Sequence, residues 1–169
     1  MKMNVKLFST RTKVTVALLV VPVLLAAWWA FRPEKLFINQ QVREAAPAGV
    51  GGEAEPVFTG KLETREHATS GRATIYKDGR GKQYLRLTDF MTSNGPDVHV
   101  VLVKAEAPAM TKVIVPGDLD IVELGSLKGN QGDQNYDVPA SADLEKYQAV
   151  AIYCERFHAI FGVAKLEKF

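Results

Sequence analysis

Cysteine is nearly absent from this sequence of 169 residues, which contains a single one, Cys154. One thiol cannot close a disulfide within the chain, so a disulfide-stapled scaffold is excluded and the core must supply the stability. Four roles remain for Cys154: a buried apolar filler, half of an intermolecular bridge, a ligand of a metal or haem, or a reactive group.

An excess of charge of one sign is also lacking, because 21 Lys and Arg residues are balanced by 19 Asp and Glu residues, a net charge of +2. Such a chain offers no strongly basic surface, and no nucleic-acid partner is predicted. The sequence also lacks a Gly-x-Ser-x-Gly nucleophile motif, an EF-hand spacing and a phosphate-binding loop ending in Gly-Lys-Ser/Thr. These absences favour a non-catalytic protein.

One long apolar run is present, at residues 14–31, and it contains no charge. Its length is close to the minimum of about 17 residues that spans a bilayer. Four basic residues precede it: Lys2, Lys6, Arg11 and Lys13. The positive-inside rule then predicts a cytoplasmic tail at 1–13, a single-pass signal-anchor in the cytoplasmic membrane, and a C-terminal part in the periplasm or at the cell surface. A cleaved signal peptide is the alternative.

Residues 32–56 are predicted to form a linker. Residues 37–43 are compatible with a short helix, whereas Glu44–Pro56 is rich in Ala, Gly, Pro and Glu and has almost nothing to bury. That composition is typical of a flexible tether.

Residues 57–169 show short alternating segments separated by turns, without a sustained helical period. The pattern predicts an all-β domain of about eight short strands, an antiparallel β-sandwich or a barrel-like sheet. A hairpin turn is expected at residues 77–81. The predicted core contains Leu85, Leu87, Val98, Val100, Leu102, Ile152 and Phe161.

The order of several motifs in this region resembles the DM-thirteen domain. The motifs are Gly60, residues 67–76 (HATSGRATIY), 84–87 (YLRL), 90–100 (FMTSNGPDVHV), 124–136 (LGSLKGNQGDQNY) and 153–157 (YCERF). That family occurs with DOMON domains in animal cell-surface proteins and in bacterial membrane-anchored proteins. The resemblance implies a β-rich fold and a proposed electron-transfer role centred on the cysteine that matches Cys154. The family's motif residues here include Gly95, Pro96, Asp97, Tyr153, Arg156 and Phe157, and Tyr153 stands where the family often has Trp.

A metal or haem at Cys154 would require further ligands, and the chain has three histidines, His67, His99 and His158. In one extended strand, Cys154 and His158 would be about 13 Å apart, whereas a turn at residues 155–157 would place them across a hairpin. A thiolate with imidazole suits copper or zinc, and copper or a non-covalent haem would allow electron transfer. Covalent haem is excluded, because Cys-x-x-Cys-His is absent.

Two functions are compatible with these observations. The first is a membrane-anchored extracytoplasmic domain with a redox or electron-transfer role centred on Cys154, serving a redox partner protein. The second is a non-catalytic binding or structural module, in which Cys154 packs in the core with Val150 and Ile152 on the same strand face.

Overall fold

A computed structural model of the chain describes residues 10–31, 38–47, 54–104 and 120–169. The chain forms two units, Met1–Glu34 and Lys35–Phe169. The described residues of the first unit form the helix α1 (Thr10–Phe31), with Pro22 inside it. Within the described ranges no helix is long and apolar enough to cross a membrane, so the transmembrane segment predicted at residues 14–31 is not supported.

The second unit is built from β-strands, which confirms the predicted all-β class. They are β1 (Gln41–Arg43), β2 (Glu55–Thr64), β3 (Ser70–Lys77), β4 (Gln83–Met91), β5 (Val98–Val103), β6 (Ile121–Ser126), β7 (Gln131–Val138), β8 (Ala149–Cys154), β9 (Ala159–Lys165) and β10 (Glu167–Lys168).

These strands form a single curled sheet, a half-barrel, in the order β1-β7-β4-β3-β2-β9-β8-β5-β6, and β10 pairs with β2. Neighbouring strands are antiparallel, except that β1 runs parallel to β7. The barrel-like alternative of the sequence prediction is therefore closer to the observed fold than two separate sheets.

The β3–β4 hairpin shows how local sequence produces this sheet. Asp78 Oδ1 accepts hydrogen bonds from the backbone N–H groups of Arg80 and Lys82, both at 2.9 Å. Gly81 has a φ of +84°, a conformation that residues with a Cβ rarely adopt. The turn predicted at residues 77–81 is thus formed by one buried carboxylate and one glycine.

The core lies on one face of the curled sheet. All seven residues predicted for it are buried and belong to one apolar cluster: Leu85, Leu87, Val98, Val100, Leu102, Ile152 and Phe161. A smaller cluster covers the opposite face of β5, β8 and β9 and contains Val101, Val103, Ala149, Ala151, Tyr153, Ile160 and Val163. Both faces of β5 are apolar apart from His99, and β5 is paired on both sides, with β6 and with β8.

The short helix with which residues 37–43 are compatible is not formed in the described residues 38–43, because strand β1 lies at 41–43 and pairs with β7. Gly132 permits this pairing, since a Cβ at that position would lie 2.0 Å from the carbonyl oxygen of Val42. The guanidinium of Arg86 then donates to the carbonyl oxygens of Glu44 (3.0 Å) and Ala45 (2.9 Å). Residues 41–45 are therefore bound to the sheet, although residues 44 and 45 belong to the segment 44–56 whose composition predicted a flexible tether.

Candidate functional site

Two of the family-like motifs meet at one end of strands β5 and β8. The turn at residues 94–97 precedes β5, and the turn at residues 155–158 joins β8 to β9. The backbone N–H of Glu155 donates to the carbonyl oxygen of Asp97 at 2.9 Å, which holds the two turns together. We call the region formed by residues 94–99 and 153–158 the motif end.

His99 is the polar side chain of β5 at the motif end, and carboxylates surround it. Its Nδ1 lies 2.6 Å from Oε1 of Glu123, and its Nε2 lies 3.1 Å from Oδ1 of Asp97 and 3.7 Å from Oε2 of Glu155. The His99 side chain is 12% exposed. Both ring nitrogens therefore face carboxylate oxygens, although a neutral imidazole carries only one N–H to donate.

The surroundings of His99 act on its pKa in opposite directions. Burial lowers the pKa, whereas the hydrogen bonds with Asp97 and Glu123 and the negative charges of both raise it, and the net result is a pKa above the ordinary 6.5. The protonated imidazole can donate from both nitrogens, which satisfies Asp97 and Glu123 together. The site therefore favours a positive charge at the position of the ring.

Glu123 reaches this site through a β-bulge. His99 pairs with Ser126, but a register shift between Val100 and Val101 places Glu123 opposite Val101. Because side chains alternate between faces, this extra residue turns Glu123 to the face of the sheet that carries His99. Without the shift, Glu123 would stand opposite Leu102 on the core face.

Tyr153 and His158 form a second polar contact at the motif end. The hydroxyl of Tyr153 lies 2.9 Å from Nδ1 of His158, and burial is the main cause that raises the pKa of Tyr153. His158 closes the turn with a φ of +51°, and its backbone N–H donates to the carbonyl oxygen of Glu155. The turn that the metal hypothesis required at residues 155–157 is present, but His158 contacts Tyr153.

Cys154 lies on the other face of the sheet. It is a free cysteine with no exposed surface, and it belongs to the main apolar cluster with Val150 and Ile152. Strand pairing sets Cys154 opposite Val98, whereas the neighbouring pair, His99 and Tyr153, points to the opposite side. Cys154 and His99 are therefore adjacent along the sheet but separated by it.

The whole of this geometry falls within a segment that a family model matches. The model of the family described as Electron transfer DM13 matches residues 61–166. The chain belongs to the DM13 family. The DM-thirteen resemblance inferred from the motifs is thereby confirmed. Comparison with curated proteins and with solved structures gave no significant match.

The other predicted residues of the DM13 unit are spread around the motif end. Gly95 has no room for a side chain, because a Cβ would lie 2.6 Å from Cγ2 of Val98 and 3.0 Å from Cζ of Phe161. Pro96 is half-buried beside it, whereas Arg156 and Phe157 are exposed at the tip of the β8–β9 turn, Phe157 at 65%.

His67 lies apart from the carboxylates that surround His99. Its ring packs on Phe161, with 4.0 Å between the ring centroids and an angle of 38° between the planes. His67 is only partly buried, and its backbone carbonyl oxygen accepts a hydrogen bond from the hydroxyl of Thr69. This arrangement is that of a packing residue at the margin of the core.

The side chains that could bind a metal do not form the predicted Cys–His site for copper or haem. In the part of the chain that the structure describes, one group of three potential metal-ligand side chains converges, and it consists of Asp97, His99 and Glu155. Cys154 is absent from that group, because its thiol points into the apolar core. The oxygen-rich set at His99 differs from the thiolate–imidazole set expected for copper electron transfer.

Glu123 and Glu155 are the functional candidates that sequence reasoning missed. Both are exposed carboxylates, and in sequence they resemble ordinary solvated residues. One usable signal was His99, a single polar residue in an otherwise apolar strand, which requires polar partners from neighbouring strands. The second signal was Gly125, whose φ of +133° marks the bulge that brings Glu123 to the site.

The structure also contains an open groove away from the motif end, of about 730 Å³, beside β1. Asp89, Met91 and Gln131 line it together with residues 41–45. Asp89 has a φ of +49° at the bulge of β4, and its backbone N–H donates to Asp133 Oδ1 at 3.0 Å. The hydrogen bond accounts for this conformation, and the groove brings together no cluster of reactive side chains among the described residues.

Proposed function

We propose that this DM13 unit takes part in electron transfer and that the motif end is its working surface. The observation that carries the proposal is the match of residues 61–166 to a family described by electron transfer. The geometry supports a common location, since the turns at residues 94–97 and 155–158 are joined by a backbone hydrogen bond.

The motif end has features that suit contact with a redox partner protein. Arg156 and Phe157 project from the β8–β9 turn, and Arg and aromatic residues are the types that contribute most to protein interfaces. Asp97 and Glu155 add negative charge beside them, which gives orientation to an approaching partner. The proposed partner is therefore a redox protein that docks at this end of the sheet.

The sequence predicted that the redox centre of this electron-transfer function is Cys154. Cys154 belongs to the motif end, between Tyr153 and Glu155, but its thiol faces the core and has no exposed surface. A role in thiol–disulfide exchange would require the sheet to open, because exchange needs access to the sulfur. Any direct role of Cys154 therefore involves electron passage through the packed protein.

A second function is favoured by that same burial. In it, the unit is a non-catalytic binding or structural module, and Cys154 is a small apolar side chain of the core. The full occlusion of Cys154 among Val150, Ile152 and Val98 is the observation that supports it.

Anaerobic redox titration of the purified full-length chain separates the two functions. Electron transfer predicts reversible uptake of a fixed number of electrons from dithionite and their return to ferricyanide, as isolated or after metal reconstitution. Loss of uptake in Cys154→Ala, with uptake retained in His67→Gln as a control, identifies Cys154 as the centre. Absence of uptake in both preparations would contradict electron transfer and leave the binding module.

The compartment of the DM13 unit stays a prediction from the charge pattern before residue 14. A unit outside the cytoplasm is digested when protease is added to intact spheroplasts. Digestion only after lysis would show that it lies inside.

A further inference from the structure

We propose that Asp97, His99 and Glu155 bind a divalent first-row transition-metal ion, with Glu123 positioning the histidine. The group is distinct from the cysteine-centred site of the sequence prediction, and it stands whether or not the unit transfers electrons. A redox-inert ion such as Zn²⁺ would occupy it as well as a redox-active one.

The ligand atoms already converge. One atom from each of Asp97, His99 and Glu155 lies within 4.8 Å of the other two. Nε2 of His99 faces both carboxylates, at 3.1 Å from Asp97 and 3.7 Å from Glu155. An ion bound between three such atoms needs only small side-chain rotations, because metal–ligand distances for N and O donors are about 2.0–2.2 Å.

The other nitrogen of His99 is held as metal-binding histidines usually are. A histidine that binds a metal through one nitrogen generally donates its other N–H to a carboxylate or carbonyl, which fixes the tautomer and the ring orientation. Nδ1 of His99 lies 2.6 Å from Glu123, a carboxylate outside the ligand group. Glu123 thus fixes the ring so that its Nε2 lone pair points at Asp97 and Glu155 when the imidazole is neutral.

The negative charges of the group exceed its positive charge, which favours the binding of a cation. Three carboxylates surround one imidazole, and the ion pairs that the structure shows for Asp97, Glu123 and Glu155 all run to His99. Within this group of four side chains, the three carboxylates outweigh even a protonated imidazole by two negative charges. A divalent ion in place of the proton on Nε2 would reduce this excess to one negative charge and would satisfy both ring nitrogens.

The donor types indicate the class of ion. One imidazole with two carboxylates suits Zn²⁺, Mn²⁺ or Fe²⁺, whereas Ca²⁺ prefers six to eight oxygens and Cu(I) prefers sulfur. The side chains of Asp97 and Glu155 are 40% and 63% exposed, so the ion would be open to solvent on one side. The site is therefore suited to an exchangeable ion with water in its remaining coordination positions.

The rigid backbone gives the site its precision. His99 lies in the central strand β5, which pairs with both β6 and β8. Glu155 is fixed to Asp97 by the 2.9 Å backbone hydrogen bond between the two turns. These constraints hold three ligands from two distant segments at the same place before any ion arrives.

Titration of the EDTA-treated full-length chain with Zn²⁺ and with Mn²⁺, followed by calorimetry, tests the proposal. We expect one ion per chain, with affinity weakened by about tenfold or more in His99→Ala, Asp97→Asn and Glu155→Gln. Glu123→Gln is expected to weaken binding by about 10- to 100-fold without removing a ligand. His67→Gln and Asp137→Asn are matched controls from outside the group and should bind as the unaltered chain does.

Glu155→Gln is the decisive variant, because Glu155 is exposed on a turn and its amide leaves the core unchanged. A β-type circular dichroism spectrum and an unchanged melting temperature without metal would show that this variant is folded. No stoichiometric binding, or equal binding by Glu155→Gln and the controls, would overturn the proposal. Electron uptake is not part of this readout, so the metal site and the electron-transfer function fail or succeed separately.

Discussion

Burial of Cys154 leads to a quantitative prediction of its reactivity. The thiol has no exposed surface, so a thiol reagent reaches it only in molecules that have opened. With an unfolding free energy of about 5 kcal/mol, the lower end for single domains, about 1 molecule in 5,000 is open. We therefore expect labelling at neutral pH to be slower than in denaturant by a factor of about 10³ or more.

The assay is the absorbance change of a chromophoric disulfide reagent, measured with the folded chain and again in concentrated guanidinium. Fast, stoichiometric labelling of the folded chain would refute the reasoning, because it would require the β8–β9 hairpin to open far more often than the rest of the unit. Slow labelling at the rate of global unfolding would place Cys154 in the most stable part of the sheet.

The burial of Cys154 also predicts how its substitution changes the free energy of unfolding. Cys154→Ser puts a hydroxyl among Val150, Ile152 and Val98, and burial of an unpaired hydroxyl costs about 1–3 kcal/mol in proteins. Cys154→Ala leaves a small void instead, at about 1 kcal/mol. The expected order of stability in urea denaturation is Cys, then Ala, then Ser. A serine variant as stable as the unaltered chain would show that a polar partner or water reaches this position.

Three further predictions concern the attachment of β1 and its surroundings. Arg86→Met removes the 2.6 Å ion pair with Asp133 and the hydrogen bonds to residues 44 and 45. We expect the free energy of unfolding, measured by urea denaturation, to fall by about 3 kcal/mol, the lower end for a broken buried ion pair. The lower end applies because Asp133 is a third exposed and stays hydrated. A loss below about 1 kcal/mol would contradict it. Gly132→Ala should release β1, detected as faster amide exchange at residues 41–43, whereas Gly125→Ala, which has a positive φ but open space around it, should not. Burial raises the pKa of Glu44, but hydrogen bonds from Lys128 and from the backbone of Asn135 outweigh it and lower the pKa below 4.5. The contribution of Glu44 is therefore present above about pH 4.5 and is lost as the pH falls through the lowered value. Glu44→Gln should be less stable than the unaltered chain at pH 7, and the difference between their urea midpoints should shrink as the pH falls below 4.5.

Much of the second unit was predictable because its signals are local. Residues 83–90 alternate and residues 98–103 are nearly all apolar; both segments are strands in the structure, and every residue predicted for the core is buried. The turn after β3 followed from Asp78 and two glycines. The family followed from the order of short motifs, each of which can be recognised without knowing what it contacts.

Strand β1 was mispredicted because its stability comes from residues far away in the chain. Residues 41–45 bury little by themselves. Hydrogen bonds from Arg86 hold residues 44 and 45, and the missing side chain of Gly132 lets the backbone of Val42 approach β7. Composition describes what a segment can do alone, whereas this segment acquires its structure from a partner strand some 90 residues later. No local pattern encodes that pairing.

The candidate site also depends partly on local sequence and partly on long-range strand pairing. The sequence by itself determined that Cys154 and His99 lie in strands and that each needs a role suited to a mostly apolar environment. Which residues meet was decided only by tertiary structure, since the register of β5 with β8 put Cys154 and His99 on opposite faces of the sheet. One bulge at Gly125 turned Glu123 toward His99. Side chains along a strand alternate between the two faces of the sheet. A shift of one residue in the pairing register, which distant strands set, therefore moves a side chain from the core face to the face that carries the site.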